Sequence, residues 1–250
     1  MAHLDEVAGG IYRISSPAKG YPVTFNQFLI ADDQPALIHT GMAPMYNDVL
    51  SAIKQVLDPS TLAYIILLHF EGDECGGMER FMAQAPQAQV VGCQLSAQMN
   101  LNSFDFACQN RVLGKLDGDV IDLGKHKLRF LETPHVHHWD SMMLWEESTR
   151  SLFPADLFIQ PGDQPPVVRE DLSGAMCELY RQIGIFAHEA PVRRVIDRIQ
   201  QLRPQWVHAM HGGTLHADVF PRYVAALREQ PFGYNGTLMG RALDVAKAVS

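Results

Sequence analysis

Four side chains that can bind a metal ion occur within six consecutive residues of this sequence. His69, Glu71, Asp73 and Glu74 directly follow the apolar run 62–68, which is typical of a strand buried on both faces. Alternate side chains of an extended segment point the same way, so His69, Glu71 and Asp73 would share one side. They would then converge on one metal position or straddle two. The alternative interpretation is a solvated acidic turn with a chance histidine.

Three histidines within four residues form a second cluster. His135, His137 and His138 precede Asp140 and follow a predicted strand at 127–132. Histidines this close together are typical either of metal ligands or of a surface patch, and the residues themselves allow both interpretations.

A carboxylate and a histidine follow two later predicted strands. Asp156 stands between apolar residues at a strand end, where a carboxylate is costly to bury without a partner or a metal. His211 follows the predicted strand 205–208, whereas His208 is expected to face the core. Loops at strand ends carry functional residues in α/β proteins, so the coincidence of the four clusters indicates one metal site.

The elements that must position these clusters change from strands to helices twice along the chain. Strands are predicted at 11–14, 23–30, 36–39, 62–68, 90–92 and 205–208 and as a consecutive set across 112–153, and helices at 46–57, 77–85, 171–186, 191–202, 217–229 and 238–249. Two such halves predict an α/β fold, an α/β/β/α sandwich of two mixed sheets with outer helices. No internal repeat or long linker is visible, so a single domain over residues 1–250 is expected.

Composition and charge narrow the class of protein. The chain has 250 residues, of which 47% are hydrophobic and 19% charged, as in a globular protein with a full core. Its net charge of −8 disfavours a nucleic-acid partner. With no apolar run long enough for a bilayer and no signal-peptide layout, no membrane contact and a cytoplasmic location are expected. The four cysteines form no Cys-x-x-Cys pair, which argues against an iron knuckle or a zinc ribbon.

The order of these motifs resembles the metallo-β-lactamase fold. More narrowly, it is similar to the diiron domain of flavodiiron proteins and of their stand-alone relatives, the oxygen-binding diiron proteins. The resemblance rests on the H-x-E-x-D pattern at 69–73, HHWDSM at 137–142, FPADLF at 153–158 and MHG at 210–212, with ALIHTG at 36–41 as an opening strand. It spans nearly the whole chain and implies a metallo-β-lactamase-like sandwich.

The resemblance also implies a ligand set for two metal ions. One ion would be held by His69, Glu71 and His137, the other by Asp73 and His211, and Asp156 would bridge them. Zinc hydrolases of this fold carry a second histidine where this chain has Glu71, and a carboxylate there favours iron, or manganese, over zinc. Two iron ions are therefore expected, with manganese or zinc as alternatives, and no catalytic group beyond the ligands.

Two residues depart from the family pattern. Glu74 stands where the family has a histidine that binds the second metal. If Glu74 is a ligand, four carboxylates carry a formal charge of −4, which balances two ferrous ions and favours the ferric state; if it is not, the second ion lacks one ligand. His39 replaces an aspartate, and it either supports a ligand from behind or is a satisfied buried histidine. His135 and His138 are candidates for supporting or pocket roles, or surface residues.

Three functions are compatible with these residues. The first is a non-haem diiron protein that binds and reduces dioxygen or nitric oxide, and the second is an oxygen or redox sensor built on the same centre. Since the sequence leaves no room for an FMN domain, electrons are expected from a separate donor protein, and the resemblance implies a homodimer. The alternative is a metal-dependent hydrolase, in which a metal-bound hydroxide attacks an ester.

Overall fold

The structure, a computed structural model, describes residues 2–234. The helix predicted at 238–249 lies outside the described residues. Within residues 2–234, no helix combines the length and the apolar character that crossing a membrane would require.

Two seven-stranded sheets are formed by the described residues. The first runs in chain order through β1 (His3–Ala8), β2 (Ile11–Pro17), β3 (Thr24–Ile30), β4 (Ala36–Ile38), β5 (Tyr64–Ile66), β6 (Gln89–Cys93) and β7 (Val112–Lys115). The second is built from β8 (Val120–Asp122), β9 (Lys127–Glu132), β10 (Met142–Glu146), β11 (Ser151–Phe153), β12 (Val167–Val168), β13 (Trp206–His208) and β14 (Thr214–His216). Its spatial order is β12-β14-β13-β11-β10-β9-β8.

Both sheets mix strand directions. In the first sheet, β1 to β4 pair antiparallel and β4 to β7 pair parallel. In the second, β11 pairs parallel with β13 and β12 with β14, while the remaining neighbours are antiparallel. The parallel strands β4, β5 and β6 are short apolar runs, as expected for strands covered on both faces.

Helices cover the outer face of each sheet. The described residues form α1 (Tyr46–Ile53), α2 (Gly72–Cys75), α3 (Met78–Gln84), α4 (Gln94–Met99), α5 (Ser173–Ile183), α6 (Ala190–Gln201) and α7 (Phe220–Glu229). Helices α1 and α3 pack on the first sheet, and α5 to α7 pack on the second. The predicted α/β/β/α sandwich is thereby confirmed. Helix α4 was not predicted, and α1 ends at Ile53 because the chain tightens there into i→i−3 hydrogen bonds.

Alternate side chains along a strand point to opposite faces of the sheet and so contribute to two different layers of the core. Along β10, Met142 and Leu144 face the first sheet, whereas Met143 and Trp145 face the helices α5 to α7. Phe28 of β3 meets Phe153 of β11 in the inner layer, with ring centroids 5.4 Å apart. Both faces of β10 are buried along its whole length, whereas β9 alternates buried apolar residues with exposed Lys127 and Arg129.

Candidate metal centre

Backbone contacts join the two sheets at the edge where the motifs gather. The amide of Met142 donates to the carbonyl of Leu68 at 2.7 Å, which ties the end of β10 to the segment after β5. The amide of Phe70 donates to Asp140 Oδ2 at 3.2 Å. These bonds hold the segment that carries His69 against the segment that carries His137.

The first group of side chains is His69, Glu71, His137 and Asp156, whose ligand atoms all lie within 4.8 Å of one another. His137 Nε2 lies 3.0 Å from Asp156 Oδ2 and 3.2 Å from Glu71 Oε2. His69 Nε2 lies 3.3 Å from Glu71 Oε2 and 3.6 Å from Asp156 Oδ2. Two imidazoles and two carboxylates therefore surround a common point.

The second group is Asp73, Glu74 and His211, whose ligand atoms also lie within 4.8 Å of one another. His211 Nε2 lies 3.6 Å from Asp73 Oδ2. Glu74 is buried, and its Oε2 lies 3.6 Å from His69 Nε2 of the first group. The two groups are thus contiguous, and the segment 69–74 contributes to both.

The expected extended path through 69–74 is wrong in its second half. Residues Gly72–Cys75 form the single turn α2, in which the amide of Cys75 donates to the carbonyl of Glu71 at 2.9 Å. This turn packs so closely on the preceding loop that a Cβ at Gly76 would lie 2.6 Å from the nitrogen of Ala43. Because the chain turns after Glu71, Asp73 and Glu74 reach the second group rather than the first, and alternation is not what positions them.

Asp156 lies between the two groups. Its Oδ2 faces His69 and His137, while its Oδ1 lies 3.4 Å from His211 Nε2. The backbone of Asp156 is held from the helical layer, because the buried hydroxyl of Tyr180 donates to its carbonyl at 3.2 Å. The same hydroxyl accepts from the amide of Ile159 at 3.1 Å, which fixes both ends of the loop.

Charge is distributed unevenly over the four carboxylates. Burial alone would raise the pKa of Asp156, but His69, His211 and the hydrogen bond from His137 hold it well below its usual range. The nearby imidazoles of His137 and His69 likewise lower the pKa of Glu71. In contrast, burial and the nearby charges of Asp156 and Asp73 raise the pKa of Glu74 well above its usual range.

Protons occupy part of the site in the metal-free protein. Burial lowers the pKa of His137, but its hydrogen bonds to Asp156 and Glu71 outweigh that effect and raise the pKa to about 10. The pKa of His211 is also raised, since Asp156 and Asp73 outweigh its burial. Positive charge is thus favoured at the points where the carboxylates meet the histidines, and a bound cation would replace these protons.

His39 contacts the second group from behind. The amide of Leu68 donates to His39 Nε2 at 3.1 Å, and Nδ1 lies 3.7 Å from Glu74 Oε1. Burial, with the charge of His69 as the next contribution, lowers the pKa of His39 well below its usual value, so the ring is neutral. A neutral ring that accepts at Nε2 carries its proton on Nδ1, on the side of Glu74.

The neighbours of His137 have different surroundings. His138 Nδ1 contacts Asp140 Oδ1, and the ring of His138 lies 5.9 Å from that of His69. Asp140, which also accepts from Phe70, thereby links His138 to the backbone beside His69. The side chain of His135 is exposed, so the structure does not bring it to the site. His208 is fully buried between Ser151 Oγ and Thr214 Oγ1, as expected for a residue that faces the core.

Unpaired polar atoms test whether the site fits a metal. Among the described residues, both ring nitrogens of His69, Glu74 Oε2 and Asp156 Oδ1 are buried without a hydrogen-bond partner. Buried polar atoms normally have partners, and since His69 Nε2 and Glu74 Oε2 lie only 3.6 Å apart, a cation is a partner that suits both. Three histidines and four carboxylates also form a donor set suited to two divalent ions. The residues therefore fit a dinuclear centre.

A cavity of about 210 Å³ opens onto both groups. Its charged wall consists of Glu71, Asp73, His137, Asp156 and His211. The rest of the wall is mainly apolar and includes Val23, Phe25, Ile159, Leu179 and Ile183. Among the described residues that line this cavity there is no lysine or arginine.

Sequence reasoning missed the buried residues that hold the site in place. Asn26 and Gln160 bond the loop that carries His211, and Tyr180 bonds the loop that carries Asp156. Asn26 was detectable as a polar residue within the apolar strand β3. Tyr180 belongs to an amphipathic helix, in which a buried tyrosine has no distinguishing pattern.

Comparisons with known proteins agree with this geometry. A family model described as ODP family beta lactamase matches residues 23–212. A nitric oxide reductase of Moorella thermoacetica is 34% identical over 140 residues, which are 55% of this chain and 34% of that protein. This chain therefore matches about a third of the length of that relative.

Two solved structures share the fold. The rubredoxin oxygen:oxidoreductase of Desulfovibrio gigas has a TM-score of 0.81 at 21% identity, over 91% of this chain and 61% of that chain. The flavodiiron protein of Giardia intestinalis has a TM-score of 0.81 at 18% identity, over 91% of this chain and 59% of that chain.

Proposed function

The chain belongs to the ODP family of β-lactamase-like proteins, and on that premise we propose that it forms a dinuclear iron core that binds and reduces dioxygen or nitric oxide. The observation that carries the proposal is the position of Asp156, whose two carboxylate oxygens face the two groups of side chains. A carboxylate placed in this way is suited to bridging two ions. The fold shared with the flavodiiron protein of Giardia supports the same conclusion.

The proposed ligands follow the two groups. His69, Glu71 and His137 would hold the first ion, Asp73, Glu74 and His211 would hold the second, and Asp156 would bridge them. The proposal makes Glu74 a ligand because it is buried, its Oε2 lacks a partner, and this oxygen lies 3.6 Å from His69 Nε2. Four carboxylates favour iron, or manganese, over zinc.

The cavity supports a small uncharged substrate. Much of its wall is apolar, and it offers no lysine or arginine, among the described lining residues, to bind an anionic ester or phosphate. Dioxygen and nitric oxide need no such group. Two ferrous ions, when bound, would supply the electrons for the reduction. Leu179 and Ile183 of α5 contribute to the apolar part of the wall.

The source of electrons and the assembly are part of the same proposal. The name of the Desulfovibrio relative pairs oxygen with rubredoxin, and we extend to this chain a separate electron-donor protein. Slow cycling with such a donor would make the chain an oxygen or redox sensor. The proposal also treats residues 1–250 as one domain. It places the protein in the cytoplasm and takes it to be a homodimer. These three points rest on the sequence alone.

Metal content and redox behaviour test this function. Protein purified without added metal or chelator is expected to carry about two iron ions per chain by plasma mass spectrometry, as a site with seven ligands implies. Its absorption spectrum is expected to change reversibly between dithionite and air, with oxygen or nitric oxide consumed when a reductase system is supplied.

Matched variants make the test specific. Asp156→Asn is expected to lose the second ion, whereas Asp218→Asn, which alters an exposed carboxylate beside Arg169, keeps both. Zinc as the resident metal, together with cleavage of a chromogenic ester, would contradict the reductase and favour the hydrolase. Two ions retained by Asp156→Asn would contradict the bridging role.

A further inference from the structure

The loop that carries His211 is bonded across the gap between the sheets. Asn26 of β3 is buried, and its Nδ2 donates to the carbonyls of Ala209 at 2.8 Å and Gly212 at 2.7 Å. The backbone amide of Asn26 donates to the carbonyl of Met210 at 2.8 Å. One residue of the first sheet therefore holds the backbone of the loop between β13 and β14 on both sides of His211.

The same strand orients the ring of His211. Thr24, two residues before Asn26 on the same side of β3, offers its carbonyl to His211 Nδ1 at 2.9 Å. A carbonyl only accepts hydrogen bonds, so Nδ1 carries a proton, and Nε2 is the nitrogen that would bind an ion once its own proton is released. His211 Nε2 lies 3.4 Å from Asp156 Oδ1 and 3.6 Å from Asp73 Oδ2.

Gln160 holds the loop from its other side. Its Nε2 donates to the carbonyl of Gly213 at 3.2 Å, and its Oε1 accepts from the amide of Gly213 at 3.0 Å. Gly212 adopts φ +104°, and a Cβ there would lie 2.8 Å from Gln160 Cβ. The two glycines after His211 therefore serve this close packing, and the loop has little freedom to move toward or away from the site.

We propose that Asn26 is the positioning residue for His211 and sets the affinity of the second metal position. This inference rests on the proposed dinuclear site. An asparagine suits the task because one short side chain supplies two N–H donors to two carbonyl oxygens. Aspartate has the same shape but donates nothing when ionised, and serine donates only one hydrogen bond.

The test compares Asn26→Asp and Asn26→Ser with the wild type. Iron is titrated into metal-free protein, and amide hydrogen exchange is followed in residues 209–213 before metal is added. Loss of a residue that supports a metal ligand typically costs about 10- to 100-fold in metal affinity. We expect that loss at the second ion only, with faster exchange confined to 209–213 and the first ion bound as in the wild type. Asn100→Asp is the control, since Asn100 bonds Ser96 within its own helical region.

The outcomes separate this inference from the proposed function. Unchanged exchange and two tightly bound ions in both Asn26 variants would overturn the positioning role and leave the dinuclear site standing. The positioning role would also be overturned if Asn26→Ser lost both ions and showed faster exchange throughout the chain. Asn26 would then contribute to the stability of the whole fold rather than to the position of His211. A wild type that binds no second ion would contradict the proposed function, and exchange in 209–213 would still test whether Asn26 holds this loop.

Discussion

Glu74 presents one carboxylate oxygen to His39 and the other to His69 of the candidate metal centre. Its Oε1 lies 3.7 Å from His39 Nδ1, and its Oε2 lies 3.6 Å from His69 Nε2. Burial and the charges of Asp156 and Asp73 raise the pKa of Glu74. The metal-free fold therefore favours the protonated carboxyl, while a bound ion would favour the carboxylate.

Glu74→Gln is expected to change stability and metal binding in opposite directions. Because folding raises the pKa of Glu74, the metal-free chain must take up a proton at Glu74 or bury its charge when it folds at neutral pH, and both lower the free energy of unfolding relative to acid pH. The neutral amide side chain in the Glu74→Gln variant removes this destabilisation and is expected to raise the Tm of the metal-free protein by about 2 to 6 °C. It also removes a ligand charge, so the second ion binds more weakly. Scanning calorimetry and metal titration measure the two effects.

Glu146 supplies the control for this substitution. It is also fully buried, but four hydrogen bonds from Ser148 and Thr149 outweigh its burial and lower its pKa. Glu146→Gln is therefore expected to lower Tm without changing metal binding. A fall in Tm for both variants would show that Glu74 is a structural carboxylate.

Metal affinity is expected to rise with pH. The pKa of His137 is raised to about 10 in the metal-free protein, because hydrogen bonds to Asp156 and Glu71 outweigh its burial. Below that pH an incoming ion must displace the proton, so the affinity is expected to increase about tenfold per pH unit for each proton released. Titration in weakly buffered solution with a pH indicator measures the release. Affinity independent of pH between 6 and 9 would contradict the assignment of His137.

Tyr180→Phe is expected to weaken both the fold and the metal centre. The hydroxyl bonds the backbone of Asp156 and Ile159, and its loss leaves two buried groups unpaired, at a cost of about 1–3 kcal/mol. Tyr223→Phe is the matched control, since its hydroxyl also accepts from a backbone amide, that of Leu172. Both variants are expected to lose stability in urea unfolding. Only Tyr180→Phe is expected to lose metal affinity, and equal affinity in the two would rule out a role in holding Asp156.

His208 is expected to limit stability in acid. Burial lowers its pKa to about 3. The unfolded chain takes up a proton near the ordinary value of 6.5, so the fold loses stability as pH falls from about 6.5 toward 3. In His208→Gln, the free energy of unfolding is expected to fall less steeply between about pH 6.5 and pH 3. At pH 8 the variant is expected to be less stable than the wild type, because its contacts with Ser151 and Thr214 change. Urea unfolding at pH 5 and pH 8 compares the slopes, and equal slopes would show that other groups govern acid unfolding.

The predicted fold and family resemblance are confirmed, because they depend on strong local signals. Apolar runs mark β5 and β10, and ligand-type residues follow the strand ends at His69, Asp156 and His211. Residues that follow these strand ends are expected to lie close together, because the loops that carry them meet at the same edge of the two sheets. The ligand roles themselves stay predictions until metal is measured.

Other parts of the site depend on long-range contacts that no local pattern encodes. The turn α2 forms because Gly76 packs on the backbone near Ala43, more than thirty residues earlier. Asn26 and Ala209 are 183 residues apart in sequence. His135 has the residue type of its neighbours, but its backbone turns outward at φ +65°, and its side chain is exposed.

The division of the proposed ligands between the two sheets has a consequence for how the protein is made. A nascent chain displays His69, Glu71, Asp73 and Glu74 while His137, Asp156 and His211 are still untranslated. The first half alone lacks the bridging carboxylate, so tight metal capture must wait until synthesis has passed His211 and the halves have docked. Ions bound at the proposed site would therefore join the two sheets, and their removal by a chelator would weaken the contact between the sheets at this edge.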